Sequence, residues 1–432
     1  MTREARRPVV AVVGAGFGGL WAAKALADAP VDVLMIDRRN FHTFYPLLYQ
    51  VGAAELEPQS VAYPVRTIFR KQDNFRFLLA SVERVEPEQN LLQTDRGPVS
   101  YDYLILAPGS TTSYFGVDGA EAHAWPLRTL EDGIALRDHI LARFEAASRE
   151  SDPEHRARLL TFLIVGGGPT GVEFAGALSE LVWGPLQKDY RELDMHEVRI
   201  VLLERADRIL LSYSQRLSDW AARRLAKLRV DVRLGAAVTA VDPDGVTLGD
   251  GERLQSETVI WVAGVRGDPA FADWGLPLGR SGRVEVDGTL QVRAAPNVLV
   301  VGDSAVLDGP PLPLVAQVAM QQGRLAAENV VRLLTGKPAE PFVYRYLGDM
   351  AVIGRNAAVY SHGRLELTGF VAWLLWAGVH IFNLIGFRNR LIVVANWAIE
   401  YLTFERGSRL LRARPHPVGP PLLKGEGEDG PV

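Results

Sequence analysis

The stretch Val9-Val10-Ala11-Val12-Val13-Gly14-Ala15-Gly16-Phe17-Gly18-Gly19, continued through a helix and a second strand to Asp37, decides the fold. Five apolar residues in a row read as a buried parallel strand. The glycines that follow stand where a dinucleotide turn needs them: Gly14 for the tight turn, Gly16 for close approach of a pyrophosphate, Gly19 for packing of helix on strand. A helix from Leu20 to about Ala27 aims its positive end at that phosphate. The strand Val31 to Ile36 then delivers Asp37, a carboxylate suited to a ribose hydroxyl pair. The glycine pattern alone is weak; strand before, helix after and acid at the right distance make it a dinucleotide site.

The device is repeated. Leu160 to Val165 leads into Gly166-Gly167-Gly168-Pro169-Thr170-Gly171 and a helix from Val172 to Leu181, and Val198 to Leu203 ends in Glu204. Extra polar residues from Val182 to Glu197 lengthen the gap before that acid. As a ribose ligand Glu204 would repel a 2′-phosphate and favour NADH over NADPH, an inference softened by Arg205. Two fingerprints imply two dinucleotides, one held permanently and one exchanging.

Two strands end in small residues that permit close backbone approach to a ligand, Tyr103 to Leu106 running into Ala107-Pro108-Gly109 and Thr258 to Val262 into Ala263-Gly264. Asn297 to Val301 leads into Gly302-Asp303. That aspartate suits a ribityl or ribose hydroxyl, and equally an N-cap. In Ala316 to Gly323, Gln317 and Gln321 lie four apart on one helix face, flanked by small residues. Asn40 to Gln50 is aromatic but without period; it either lines a flat ring system or packs as core, and His42 within it reads as a structural histidine.

At 432 residues the chain is too long for one ordinary core, so two or three domains are expected. It has no cysteine, which excludes disulfides, cysteine-held zinc, iron-sulfur clusters and any thiol redox step. A net charge of -4 offers no basic excess for nucleic acid. No metal site is expected. No apolar signal core precedes the first strand, so a cytosolic start is the expectation.

Toward the C-terminus, Thr368 to Phe387 is the most apolar stretch, followed by Arg388 and Arg390. A second apolar run, Leu391 to Phe404, carries Trp397, Glu400 and Tyr401 and leads to Arg406, Arg409, Arg412 and Arg414. Length nearly permits a membrane span, but His380 and Asn383 would sit in it unpaired. Tryptophans and arginines favour helices lying in the membrane interface, with a buried dimer helix pair as the competing reading. Pro415 to Val432 is expected to be a disordered tail.

These residues resemble the type II NADH dehydrogenases, flavoproteins that pass electrons from NADH to a quinone. The two fingerprints with their acids are shared by many two-dinucleotide flavoproteins. Ala316 to Gly323, in the pattern Ala-Gln-x-Ala-x-Gln-x-Gly, and the Asn40-Phe41-His42 block are more specific, and Gly386 to Arg390 and Arg406-Gly407 extend the resemblance to about Leu411. Ala107-Pro108-Gly109 departs from the usual Ala-Thr-Gly of such folds. The resemblance implies an α/β fold of two Rossmann-like dinucleotide-binding domains, for FAD and NAD(H), with a C-terminal membrane-docking helical extension. Expected boundaries are 1–125 with 285–345 for FAD, 126–284 for NAD(H), 346–414 for the membrane region and 415–432 for the tail.

FAD is then expected at Gly14, Gly16, Phe17, Gly18, Gly19, Asp37, Arg38, Ala107, Gly109, Gly302, Asp303 and Gln317. NADH is expected at Gly166, Gly168, Pro169, Thr170, Gly171, Glu173, Glu204, Ala263 and Gly264. Gln317 and Gln321 resemble the quinone-pocket glutamines and Glu173 an acid in the catalytic machinery; a glutamate favoured by the helix dipole is the plainer reading of Glu173. The expected partners are a quinone and the membrane surface, with no nucleic acid and a homodimer as the assembly. The expected location is peripheral, on the cytoplasmic face of the cell membrane, and the activity non-proton-pumping. The alternatives are a soluble FAD-dependent reductase of a protein electron carrier and a non-catalytic NADH-sensing flavoprotein.

Overall fold

The computed structural model describes residues 6–403 and 408–411; Phe404, Arg406, Gly407, Arg412, Arg414 and the tail from Pro415 lie outside the described residues, as do the side chains of Glu400 and Tyr401. Two compact units result.

The first gathers Met1–Thr43, Ala62–Thr111 and Val265–Leu347. Its sheet runs in the order Gln291–Val292, Ala295–Val300, Tyr103–Leu106, Val9–Val13, Asp32–Asp37, Phe75–Leu79. All pairings are parallel except the edge hairpin of Gln291–Val292 with Ala295–Val300. The first strand is buried because it is central, which is why its sequence is unbroken apolar rather than alternating. One face packs on a core including Ala11, Leu104, Leu106, Phe271 and Val300. The first helix spans Phe17–Ala25, starting three residues before the sequence suggests because Gly16 already serves as its N-cap. Helix Ala316–Leu334 crosses it where a Cβ on Gly323 would stand 2.1 Å from the Gly18 carbonyl oxygen. Only glycine permits that approach.

The second unit gathers Phe44–Val61, Thr112–Gly264 and Gly348–Val432. Its parallel sheet has the order Trp125–Pro126, Thr258–Trp261, Thr161–Val165, Arg199–Glu204, Val230–Leu234. Helix Leu130–Ala147 is fixed at its start by a capping box between Thr129 and Asp132. Helix Pro169–Leu181 continues into a π turn, Val182–Leu186, with Pro185 inside, so the insertion before Glu204 begins as helix. The aperiodic aromatic segment breaks into short pieces, with a helix at Leu48–Gly52.

After an antiparallel sheet of Asp349–Val352, Ala358–His362 and Leu365–Gly369 come helices Phe370–Asn383 and Phe387–Thr403. The stretch read above as one apolar run therefore begins as strand and is broken again at Gly386, whose φ is +91°. At 1.5 Å per residue neither helix reaches the ~30 Å of a bilayer core. Among the described residues no helix is long and apolar enough to cross a membrane. His380 and Asn383 are not unpaired: His380 Nδ1 lies 2.7 Å from the Trp376 carbonyl and Asn383 donates to that of Val379 at 2.9 Å. Arg390 donates to the carbonyls of Leu384 and Phe382, capping the helix that precedes it.

Candidate functional site

The two glycine turns are built alike, bond for bond. Gly14 N–H donates to the Ile36 carbonyl, and Gly166 N–H to that of Leu203, each at 2.8 Å. Ala15 N–H donates to Asp37 Oδ2 at 2.6 Å, and Gly167 N–H to Glu204 Oε2 at 2.7 Å. The other carboxylate oxygen of each acid takes the N–H two residues on, Arg39 at 2.7 Å and Ala206 at 2.8 Å. The longer insertion before Glu204 thus changes nothing in its placement. Burial raises the Asp37 pKa, against the pull of its two backbone donors.

The glycines divide by job in the same way at both turns. A Cβ on Gly14 would stand 2.3 Å from the Ala107 oxygen, and one on Gly166 2.7 Å from the Ala263 Cα. On Gly19 or Gly171 it would stand 1.9 Å from the carbonyl oxygen of the turn's first glycine. Among the described residues nothing lies within 4 Å of a Cβ built on Gly16 or Gly168. The outer pair is therefore fixed by packing, and the middle one by none of the described residues. Open space before a bare backbone at a helix N-terminus is the cradle a pyrophosphate needs.

In the first unit Gly302 has φ +71° and donates its N–H to Gln322 Oε1 at 2.6 Å. Asp303 Oδ2 accepts from Ser110 Oγ at 2.8 Å, and Gly109 N–H donates to Ser304 Oγ at 2.9 Å. Ala107-Pro108-Gly109 is thus tied to Gly302-Asp303-Ser304. Gln322 was not singled out by the sequence; its neighbours were. Gln321 is bound at both ends by the backbone of Arg345, and Gln317 Oε1 accepts from Tyr344 Oη and Leu347 N–H. Both amides therefore anchor the segment Tyr344–Leu347. His42 Nδ1 lies 2.8 Å from the Ala15 carbonyl, while its buried Nε2 has no partner among the described residues. Burial lowers its pKa to about 4, so at neutral pH Nε2 is a bare acceptor.

In the second unit a pocket of about 530 Å³, including its open mouth, is lined by Glu173, Tyr49, Gln50, Trp373, Trp376 and Trp397 among others. Glu173 Oε1 accepts from Val352 N–H at 3.2 Å. Burial pushes its carboxyl up to about 8, and neither the Val352 N–H bond nor the nearby polar edge of the Trp376 indole, both of which favour the carboxylate, offsets this. That indole N–H forms no hydrogen bond with any described residue. Gln50 donates to Tyr49 Oη at 2.9 Å and accepts from the Trp397 indole at 3.1 Å. Burial, with Glu173 second, raises the Tyr49 pKa well above its ordinary value. Trp376 stacks on His380 at 4.4 Å and tilts against Trp397 at 5.3 Å. None of these aromatic partners was legible, since residues 49, 376 and 397 converge only through tertiary structure. Among the described residues no cluster of side chains suits a metal ion.

Two such turns on two parallel sheets define a class, and residues 8–323 match the pyridine nucleotide-disulphide oxidoreductase family. Without cysteine, the chain retains that fold and no disulfide chemistry. Residues 346–406 match the NDH2 C-terminal domain. The chain is 40% identical, over 93% of its length and 90% of the relative's, to the type II NADH:quinone oxidoreductase Ndh of Mycobacterium tuberculosis. It is 39% identical to NdhA of the same organism, over 94% of this chain and 89% of that one. A solved structure of NDH2 from Plasmodium falciparum in complex with NADH shares the fold, with a TM-score of 0.87 over 93% of this chain and 100% of that one at 19% identity. The chain belongs to the type II NADH:quinone oxidoreductases, FAD-dependent enzymes that use NADH, as its motifs led one to expect.

Proposed function

We propose that the first unit holds FAD at Gly14 to Gly19, Asp37 and Gly302-Asp303, and the second holds NADH at Gly166 to Gly171 and Glu204, for transfer of two electrons to a quinone. The observation that carries this reading is the open space before Gly16 and Gly168 alone, in turns otherwise fixed by packing. The bare Nε2 of His42 adds a buried acceptor for a polar ligand group in the first unit. Bound FAD supplies the redox chemistry, taking hydride from NADH and passing electrons on; the protein supplies placement and electrostatics.

Asp37 and Glu204 each keep a lone pair per oxygen beyond the backbone bond, enough for a ribose diol. Glu204, as a carboxylate at that position, disfavours a 2′-phosphate. Glu173, held protonated at neutral pH, is suited to give a proton to a quinone as it is reduced. Gln317 and Gln321, whose amides bond the segment Tyr344–Leu347, serve the quinone by fixing that segment rather than by offering free amide edges.

The helices Phe370–Asn383 and Phe387–Thr403 leave Phe370, Val371, Leu374, Phe382, Leu391 and Val394 exposed. Exposed apolar side chains of this number on two neighbouring helices are suited to the interface of a membrane, where the quinone is dissolved. A peripheral position on the cytoplasmic face, a homodimer and an activity that moves no protons across the membrane complete the proposal. Steady-state assays of the purified full chain with NADH and NADPH against several quinones test it. Turnover with NADH and quinone, dependent on FAD, is expected; turnover only with a protein electron carrier sinks the quinone reading.

A further inference from the structure

Phe115 holds a backbone conformation that its side chain disfavours. Its φ is +54° and that of Gly116 is +73°, and Val117 N–H donates to the Tyr114 carbonyl at 3.0 Å. Positive φ at both central residues is the pattern of a type I′ turn, which favours asparagine or glycine at the first of them. A bulky residue in the left-handed region is an outlier and persists only where its surroundings over-determine it. Here they do. Ser113 N–H donates to the Gly264 carbonyl at 3.0 Å, and the Trp261 indole donates to the Ser113 carbonyl at 2.9 Å. The Tyr114 ring also lies 5.7 Å from that of Trp261. The turn is thereby fastened to the end of strand Thr258–Trp261.

The strain does not serve the core. Phe115 is 66% exposed. What its ring touches is Gly264, where a Cβ would stand 2.3 Å from Cζ and 2.8 Å from Cε2. The ring takes this place only because residue 264 has no side chain. Gly264 follows Ala263, whose Cα and N close the back of the second glycine turn at Gly166. An exposed aromatic ring is therefore held rigidly beside that turn, at the C-terminal edge of a parallel sheet, where this architecture binds ligands.

The strand order says which half of a dinucleotide would meet it. Thr161–Val165 feeds the turn; Arg199–Glu204, ending in the ribose acid, flanks it on one side and Thr258–Trp261 on the other. With the pyrophosphate at the turn and the adenosine on the Glu204 side, the remaining half extends over Ala263, Gly264 and Phe115. We infer that Phe115 is a specificity-determining residue whose ring supports the nicotinamide end of the cofactor; this rests on reading the second turn as the NADH site.

Titration calorimetry of the purified full chain with NAD+ and with ADP-ribose, which lacks the nicotinamide, tests it. Phe115→Asn suits the turn, so its melting temperature stays equal to or above that of the unaltered protein. It should weaken NAD+ roughly fivefold, a typical loss for one aromatic contact, and leave ADP-ribose unchanged. Phe115→Tyr should restore NAD+ binding. Equal NAD+ affinity in Phe115→Asn, or equal weakening of both ligands, overturns the inference. Gly168→Val separates the two levels. If it abolishes binding of both ligands while Phe115→Asn changes neither, only the role of Phe115 falls; if it abolishes neither, the site reading falls and this inference with it.

Discussion

Replacing Glu173 with glutamine keeps its shape and its acceptor for Val352 N–H while removing its titration. The unaltered carboxyl is neutral in the fold up to about pH 8, but in the unfolded chain it ionises from about pH 4.3 upward. The folded pKa is the higher one, so the unfolded state binds fewer protons in that window and stability falls as pH rises through it. The slope is about 1.4 kcal/mol per pH unit, or roughly 3 kcal/mol between pH 5.5 and 8, flattening above the folded pKa. For a cooperative unit of this size that is on the order of 6 °C in melting temperature. Calorimetric melts of both proteins across this range should show Glu173→Gln gaining on the unaltered chain steadily as pH rises. Parallel profiles would show that burial does not hold this carboxyl protonated, and its proposed role as proton donor would go with it.

Other expectations follow from the same geometry. Gly16→Val, filling the empty space before the first turn, should abolish FAD binding with little change in the melting temperature of the FAD-free chain, whereas Gly19→Ala should lower that temperature by several degrees because its Cβ meets the Gly14 oxygen. Glu204→Gln should narrow the preference for NADH over NADPH, read as the ratio of kcat/KM values. Gln317→Ala should raise the quinone KM or lower turnover, while the rate of flavin reduction by NADH stays nearly intact. Replacing Leu374 and Phe382 with serine should cut binding to anionic vesicles at least tenfold in a flotation assay, with no loss of FAD.

What could be read in advance was what local stereochemistry dictates. A glycine that must adopt φ +99° at Gly14, or pack a helix so close at Gly19 that a Cβ would stand 1.9 Å from a carbonyl oxygen, leaves its mark whatever the rest of the chain does. The acids at the strand ends were legible for the same reason, and the insertion before Glu204 proved harmless because a strand fixes its own terminus. The apolar C-terminal stretch misled on length: composition could not show that Gly386 and the strand Leu365–Gly369 divide it. The convergence of Tyr49, Trp376 and Trp397 around Glu173 was hidden, since nothing local ties Tyr49, Glu173 and the two tryptophans, which lie in three separate parts of the chain. Gln322 is not legible in the sequence because its orientation toward Gly302, rather than its type, distinguishes it from Gln317 and Gln321.

The central claim is that one chain holds FAD and NADH in two turns of the same design and sends the electrons to a quinone. Anaerobic stopped-flow mixing of the purified, FAD-loaded protein tests it most directly. NADH should bleach the flavin absorbance in a single rapid phase, and a quinone added afterwards should restore it. A protein that takes up no FAD, or whose flavin stays oxidised under excess NADH, contradicts it.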